Sequence, residues 1–191
     1  MFNKLKQRLT RKRQRRYFDL ELELIDDFPP AFLTTLFQLI EDNPVEGVYR
    51  VSPQVRHLEE AIQDIEDGIK AEIKDVHLGT GIIKTFLRRI PGGLLKTGKE
   101  EFNLSERGQF LLDALINHLR KLSEEEDKTR MDAMALATCI GPSLINNPGN
   151  AIDSAREGAR LLLERLIDND CYSMLDAWIE TLEEEYNKNR F

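Results

Sequence analysis

Two cysteines, three histidines and a single tryptophan are sparse chemistry for a chain of 191 residues. Cys139 and Cys171 are too few for a disulfide framework, and their apolar, helix-like surroundings suit reduced, buried thiols. His57, His77 and His118 are scattered, none at metal-ligand spacing from a cysteine or carboxylate, so no metal site is expected. Long apolar runs are missing too. Nothing approaches the roughly 18 to 20 residues needed to span a bilayer, which argues against an integral membrane protein. The N-terminal bases are followed by no apolar signal-peptide core, so the expected setting is cytoplasmic. Gly-x-x-x-x-Gly-Lys-Ser/Thr and Gly-x-Gly-x-x-Gly are both absent, and Gly79 and Gly81 lack the strand-then-helix context of a phosphate cradle. The serines have neither a nucleophile-elbow context nor a nearby general base. Any part in catalysis should therefore consist of a group lent to a partner.

Charge is distributed unevenly along the chain. Residues 1 to 16 carry Lys4, Lys6, Arg8, Arg11, Lys12, Arg13, Arg15 and Arg16 and no carboxylate, within a chain of net charge -7; the remainder therefore carries about -15. This divides the sequence into a basic tail over 1–18 and a single acidic domain over 19–191. Phe2, Leu5 and Leu9 recur among the bases at near-helical spacing, which suits contact with an anionic membrane through residues 1–16. Nuclear targeting and plain solvation fit the same composition, while the acidic body is a poor partner for nucleic acid.

Hydrophobic content of 41% and charged content of 32% are those of a folded chain of amphipathic helices. The alternation Asp19-Leu20-Glu21-Leu22-Glu23-Leu24 predicts an extended lead-in. After Pro29 and Pro30, Phe32, Leu33, Leu36, Phe37 and Ile40 mark one helix face, ending before Asp42-Asn43-Pro44. A second helix is expected from Ser52 as cap and Pro53 as first residue, with Val55, Leu58, Ile62 and Ile65 inside and Gly68 at the end. Ile82, Ile83, Phe86, Leu87 and Ile90 form the next stripe, and Phe110 to Leu119 has the period of a core helix. Glu124 to Asp127 reads as a solvated linker. Further helices are predicted over Met131–Cys139, stopped by Gly141-Pro142, over 152–167 and over 172–186. The fold class is all-α.

Among these elements one arginine is out of the ordinary. Arg50 sits in Glu46-Gly47-Val48-Tyr49-Arg50-Val51-Ser52, set among apolar residues just after a loop. Its guanidinium is planar, permanently charged and able to bridge two phosphate oxygens. Such an arginine is either pinned structurally or offered to a partner. Lys84 and Arg88 lie one turn apart on the polar side of their helix, an arrangement that is mildly unfavourable by itself and suits either a solvated face or an anionic partner.

Three ordered segments carry a resemblance: Glu46 to Ser52, then Asp75-Val76-His77 leading into Lys84-Thr85-Phe86-Leu87-Arg88-Arg89-Ile90-Pro91, then Leu136-Ala137 with Gly141-Pro142-Ser143-Leu144. Together they resemble the Rho-family GTPase-activating protein (RhoGAP) domain, over about residues 28 to 185. The resemblance implies an all-helical domain with a four-helix core and a partner that is a Rho, Rac or Cdc42-like small GTPase. It implies that Arg50 is inserted in trans to stabilise charge during GTP hydrolysis, the chain itself hydrolysing no nucleotide and the partner bringing GTP and Mg²⁺. Lys84 matches a family lysine that braces the finger loop or contacts the GTPase, and Arg88 matches the arginine beside it. Gly47 and Ser143 fall within motifs expected at the partner interface. One position departs from the pattern: where the family usually has asparagine before the late Leu-Ala, this chain has Ala135, which supplies no side-chain donor or acceptor. That leaves a non-catalytic GTPase binder, or a membrane adaptor driven by the tail, as alternatives to an activator.

Overall fold

The computed structural model describes residues 15–69, 72–95, 104–145 and 151–167. Among them the chain forms seven α-helices and two short 3-10 turns and no strand: α1 (Ala31–Asp42), α2 (Val55–Glu66), α3 (Val76–Arg88), α4 (Glu106–Glu124), α5 (Glu126–Thr129), α6 (Ala133–Ile140) and α7 (Ala151–Leu166). The helix expected over 172–186, Cys171 and most of the basic tail lie outside the described residues. No helix of the described part is long and apolar enough to cross a membrane.

Caps and apolar spacing explain where the helices stand. Asp75 caps α3 by accepting from the His77 amide at 2.8 Å, and Ser105 caps α4 through the Gly108 amide at 3.1 Å. Helix α3 begins at Val76, so Gly79 and Gly81 lie inside it. Their missing side chains let neighbours approach: Leu36 and Ile40 of α1 close on Gly79, and Pro53 closes on Gly81. Ile82, Ile83, Phe86 and Leu87 of α3 are fully buried, each worth roughly 1.5–3 kcal/mol of transfer free energy. Helix α4 touches α1, α6 and α7, and so sits at the centre of the helical core.

Several boundaries differ from the sequence reading, each for a physical reason. The alternating segment after Asp19 is a 3-10 turn over Leu22–Leu24, with Leu22 buried and its carbonyl, like that of Ile25, held by the Arg107 guanidinium. Tyr17 and Phe18 are buried, Phe18 stacking on Phe32 and meeting Phe86 edge-on; they belong to the core although composition assigns them to the tail. The second helix starts at Val55 with Gln54 at the cap position, because Pro53 is used in packing on Gly81; Val55 faces solvent and Ala61 takes its place in the buried stripe. Part of the expected linker forms α5. Met131 is buried but precedes its helix, which starts at Ala133 because Arg130 takes the left-handed conformation and Asp132 caps the Ala135 amide.

The Gly141-Pro142 segment does more than stop α6. A Cβ on Gly158 of α7 would lie 2.2 Å from the Gly141 carbonyl oxygen, and one on Gly141 would lie 2.2 Å from the Ala159 nitrogen. Backbone meets backbone here. Only glycine permits so close a crossing.

Candidate functional site

The loop between α1 and α2 is built around Gly47. Its φ is +71°, its amide donates to the Thr129 carbonyl at 2.8 Å, and its own carbonyl accepts the amides of Arg50 and Val51, both at 2.9 Å. A side chain there would be strained by φ and would sit 2.9 Å from Val51 Cγ2. Val48 and Tyr49 point inward and are 0% exposed, whereas Arg50 is exposed. The loop therefore plants two side chains in the core and leaves the guanidinium between them and α2 at the surface.

Tyr49 adopts φ +63°, a left-handed conformation uncommon for a residue with a Cβ and one that surrounding contacts must hold. Two tethers do so. Lys84 Nζ donates to the Tyr49 carbonyl at 3.0 Å, and the Tyr49 hydroxyl lies 2.9 Å from His118 Nε2. Beyond His118, its Nδ1 meets Glu41 Oε1 at 2.8 Å, and Glu41 Oε2 accepts from Lys121 Nζ at 2.7 Å. Phe37 stacks on the imidazole with ring centres 4.4 Å apart.

The electrostatics follow from burial. His118 has its pKa lowered because burial penalises the imidazolium, an effect that outweighs the opposing pull of Glu41. Glu41 is held below the usual carboxylate range by its hydrogen bond to His118, with Lys121 helping. Burial, with the Glu41 charge adding, keeps the Tyr49 hydroxyl protonated. With Glu41 an acceptor at neutral pH, Nδ1 of His118 carries the ring proton and Nε2 accepts from the Tyr49 hydroxyl. Lys84 is pulled down first by burial and also by Arg88, while the Cys139 sulfur acts the other way.

The positions singled out in the sequence divide into two groups. Gly47, Arg50 and Lys84 come together, Lys84 through the Tyr49 carbonyl; Arg88 lies exposed one turn further along α3. Ala135 is half-buried on α6, one turn before Cys139, whose half-buried thiol lies close enough to both Lys84 and Arg50 for each to oppose the rise that burial imposes on its pKa. Ser143 is 6% exposed and ends the 3-10 turn that follows α6. Sequence reasoning weighed His118 only as a metal ligand and passed over Glu41 and Lys121. It also read Cys139 as simply buried, although its four-residue spacing from Ala135 places both on one helix face.

A sequence model of the RhoGAP domain matches residues 30–102 and 99–149. The chain belongs to the RhoGAP domain family. Human Rho GTPase-activating protein 20 is 23% identical over 173 residues, which is 75% of this chain and 14% of that protein. Rat unconventional myosin-IXb is 30% identical over 149 residues, 64% of this chain and 8% of the myosin, and the mouse T-cell activation Rho GTPase-activating protein is 26% identical over 199 residues, 86% and 28%. The chain thus spans between 8% and 28% of these relatives' lengths. The crystal structure of human Rho GTPase activating protein 15 superposes with a TM-score of 0.71 at 20% identity, covering 87% of this chain and 95% of that one. That likeness shows that this RhoGAP domain shares its all-helical fold.

Proposed function

We propose that this RhoGAP domain accelerates GTP hydrolysis by a Rho-type small GTPase, inserting Arg50 beside the transferring phosphate. The reading rests on one observation: Arg50 is exposed on a loop whose preceding two residues are buried and whose backbone is tied at Gly47 and Tyr49. A charged group held on a fixed loop can meet developing charge with little reorganisation. Val51 and Val55 expose apolar surface next to it, and Lys84 and Arg88 add positive charge on α3, a combination suited to an acidic protein surface carrying phosphate. The nucleotide and its Mg²⁺ belong to the partner.

Multiple-turnover GTP hydrolysis by Rho, Rac and Cdc42-type GTPases, with the wild-type domain and Arg50→Ala, tests the proposal. Acceleration by the wild type and its loss in the variant is the expected result; a variant as active as the wild type removes Arg50 from the mechanism. Ala135 favours a second reading, a domain that binds GTPases without accelerating them. Under that reading the wild type binds a GTP-loaded partner and leaves its hydrolysis rate unchanged. The basic residues of the tail are proposed to hold the protein at anionic membranes in the cytoplasm, and equal sedimentation with neutral and anionic vesicles would refute this.

A further inference from the structure

The residue that precedes Arg50 is held in a conformation its own chemistry disfavours, and the polar group on its ring is the end of a chain reaching the surface. Tyr49 is left-handed at φ +63° and fully buried. A phenylalanine would fill the same space, so burial of the hydroxyl calls for an acceptor, which His118 Nε2 provides at 2.9 Å. Both imidazole nitrogens are engaged, Nδ1 by Glu41, and the ring plane is fixed by stacking on Phe37. Glu41 is itself clamped by Lys121, whose ammonium reaches in from solvent. Three separate parts of the chain thus meet at one ring: α1 through Phe37 and Glu41, α4 through His118 and Lys121, and the loop through Tyr49.

We propose that His118 is a positioning residue for the finger: fixed by Glu41 as the Nδ1–H tautomer, it accepts the Tyr49 hydroxyl and thereby holds the left-handed backbone that directs Arg50 outward. This rests on the reading of Arg50 as the inserted group. Tyr49 and Arg50 share a peptide plane, so a change in Tyr49 ψ or φ rotates the start of Arg50 directly. The carbonyl of that same peptide is taken by Lys84, so one peptide is tethered from the side chain before it and from its own oxygen. If the hydroxyl tether is removed, the ring stays buried but no longer has to keep one depth and rotation, and the strained φ can relax toward the ordinary negative region. Arg50 would then spend less of its time in the inserted geometry, which lowers the rate within the complex and leaves the docking surface intact.

The experiment combines kinetics with native-state amide exchange. Single-turnover hydrolysis by a GTP-loaded Rho-type GTPase is measured against increasing domain for the wild type, Tyr49→Phe, His118→Gln, Arg50→Ala and the Tyr49→Phe/Arg50→Ala pair. Tyr49→Phe is expected to lower the saturating rate roughly tenfold with an unchanged half-saturation concentration. It should have no further effect when Arg50 is already alanine. His118→Gln, which keeps an acceptor toward the hydroxyl, should retain more of the rate than Tyr49→Phe. In the free domain, exchange of the Arg50 and Val51 amides, both bonded to the Gly47 carbonyl, should quicken about tenfold in Tyr49→Phe, while core amides of α3 stay protected. If Arg50→Ala abolishes acceleration while Tyr49→Phe matches the wild type, the inference is overturned and the finger stands. If the wild type itself gives no acceleration, the finger reading falls, and unchanged exchange at Arg50 and Val51 then overturns the tether as well.

Discussion

The α6–α7 crossing and the Arg50 loop are both organised around glycine, yet they are held in opposite ways. At Gly141 and Gly158 two backbones touch with nothing between them, and stability depends on the absence of atoms. Around Gly47 the backbone is suspended by polar tethers from Thr129, Lys84 and His118, and the geometry depends on the presence of a few donors and acceptors. The first arrangement tolerates no added volume. The second depends on where each donor and acceptor stands.

The difference can be broken most severely at Arg50. Arg50→Ala should reduce GTPase acceleration on the order of 10³-fold or more while leaving the melting temperature unchanged, since the side chain is exposed; a matching fall in melting temperature would mean that the arginine is structural. At the crossing the sign reverses. Gly158→Ala should cost about 3 kcal/mol by forcing Cβ against the Gly141 carbonyl, read as a lower denaturation midpoint; an unaltered midpoint would show that the crossing can open. Lys84→Met removes a charged donor from the Tyr49 carbonyl, and about 1.4 kcal/mol, or tenfold, of acceleration should go with it. Its stability should hold or rise, because the ammonium it replaces is partly desolvated; denaturant melts would reveal the opposite if the lysine chiefly braces the fold. Acid gives a smaller effect. His118 is lowered in the folded state from its ordinary 6.5, and Glu41 from its ordinary 4.5. In both cases the unfolded chain binds protons first, so their contribution is complete above pH 6.5 and declines as pH falls. Urea midpoints should drop between pH 6.5 and 4.5, and less steeply in His118→Gln. Ala135→Asn should sharpen the loop side, raising acceleration about fivefold if an amide there finds a partner across the interface; no gain would show that α6 contributes only packing.

What could be read from the sequence follows the same division. Helices held by apolar packing announce themselves through spacing, as Ile82, Ile83, Phe86 and Leu87 do, and six of the seven described helices stand near where periodicity or a cap points, the short α5 being the exception. The boundaries that moved are those set by tertiary contact: Pro53 committed to Gly81, and Arg130 turned left-handed before α6. Arg50 was visible because one short motif contains it. Lys84 was singled out by the same resemblance, but the rest of the support was not, because residues 41, 118 and 121 are brought to Tyr49 only by folding, and neither a lone histidine nor a lone glutamate carries a periodic signal.

Glu66, at the last turn of α2, accepts three consecutive backbone amides, from Arg16, Tyr17 and Phe18, each at 2.9 Å. A single carboxylate thus fixes the point at which the basic segment joins the body. Helix α2 has 12 residues, so this mooring lies roughly 18 Å along its axis from the end that follows the Arg50 loop. The helix acts as a spacer. Whatever engages the segment moored at Glu66 meets α2 at the end opposite the Arg50 loop.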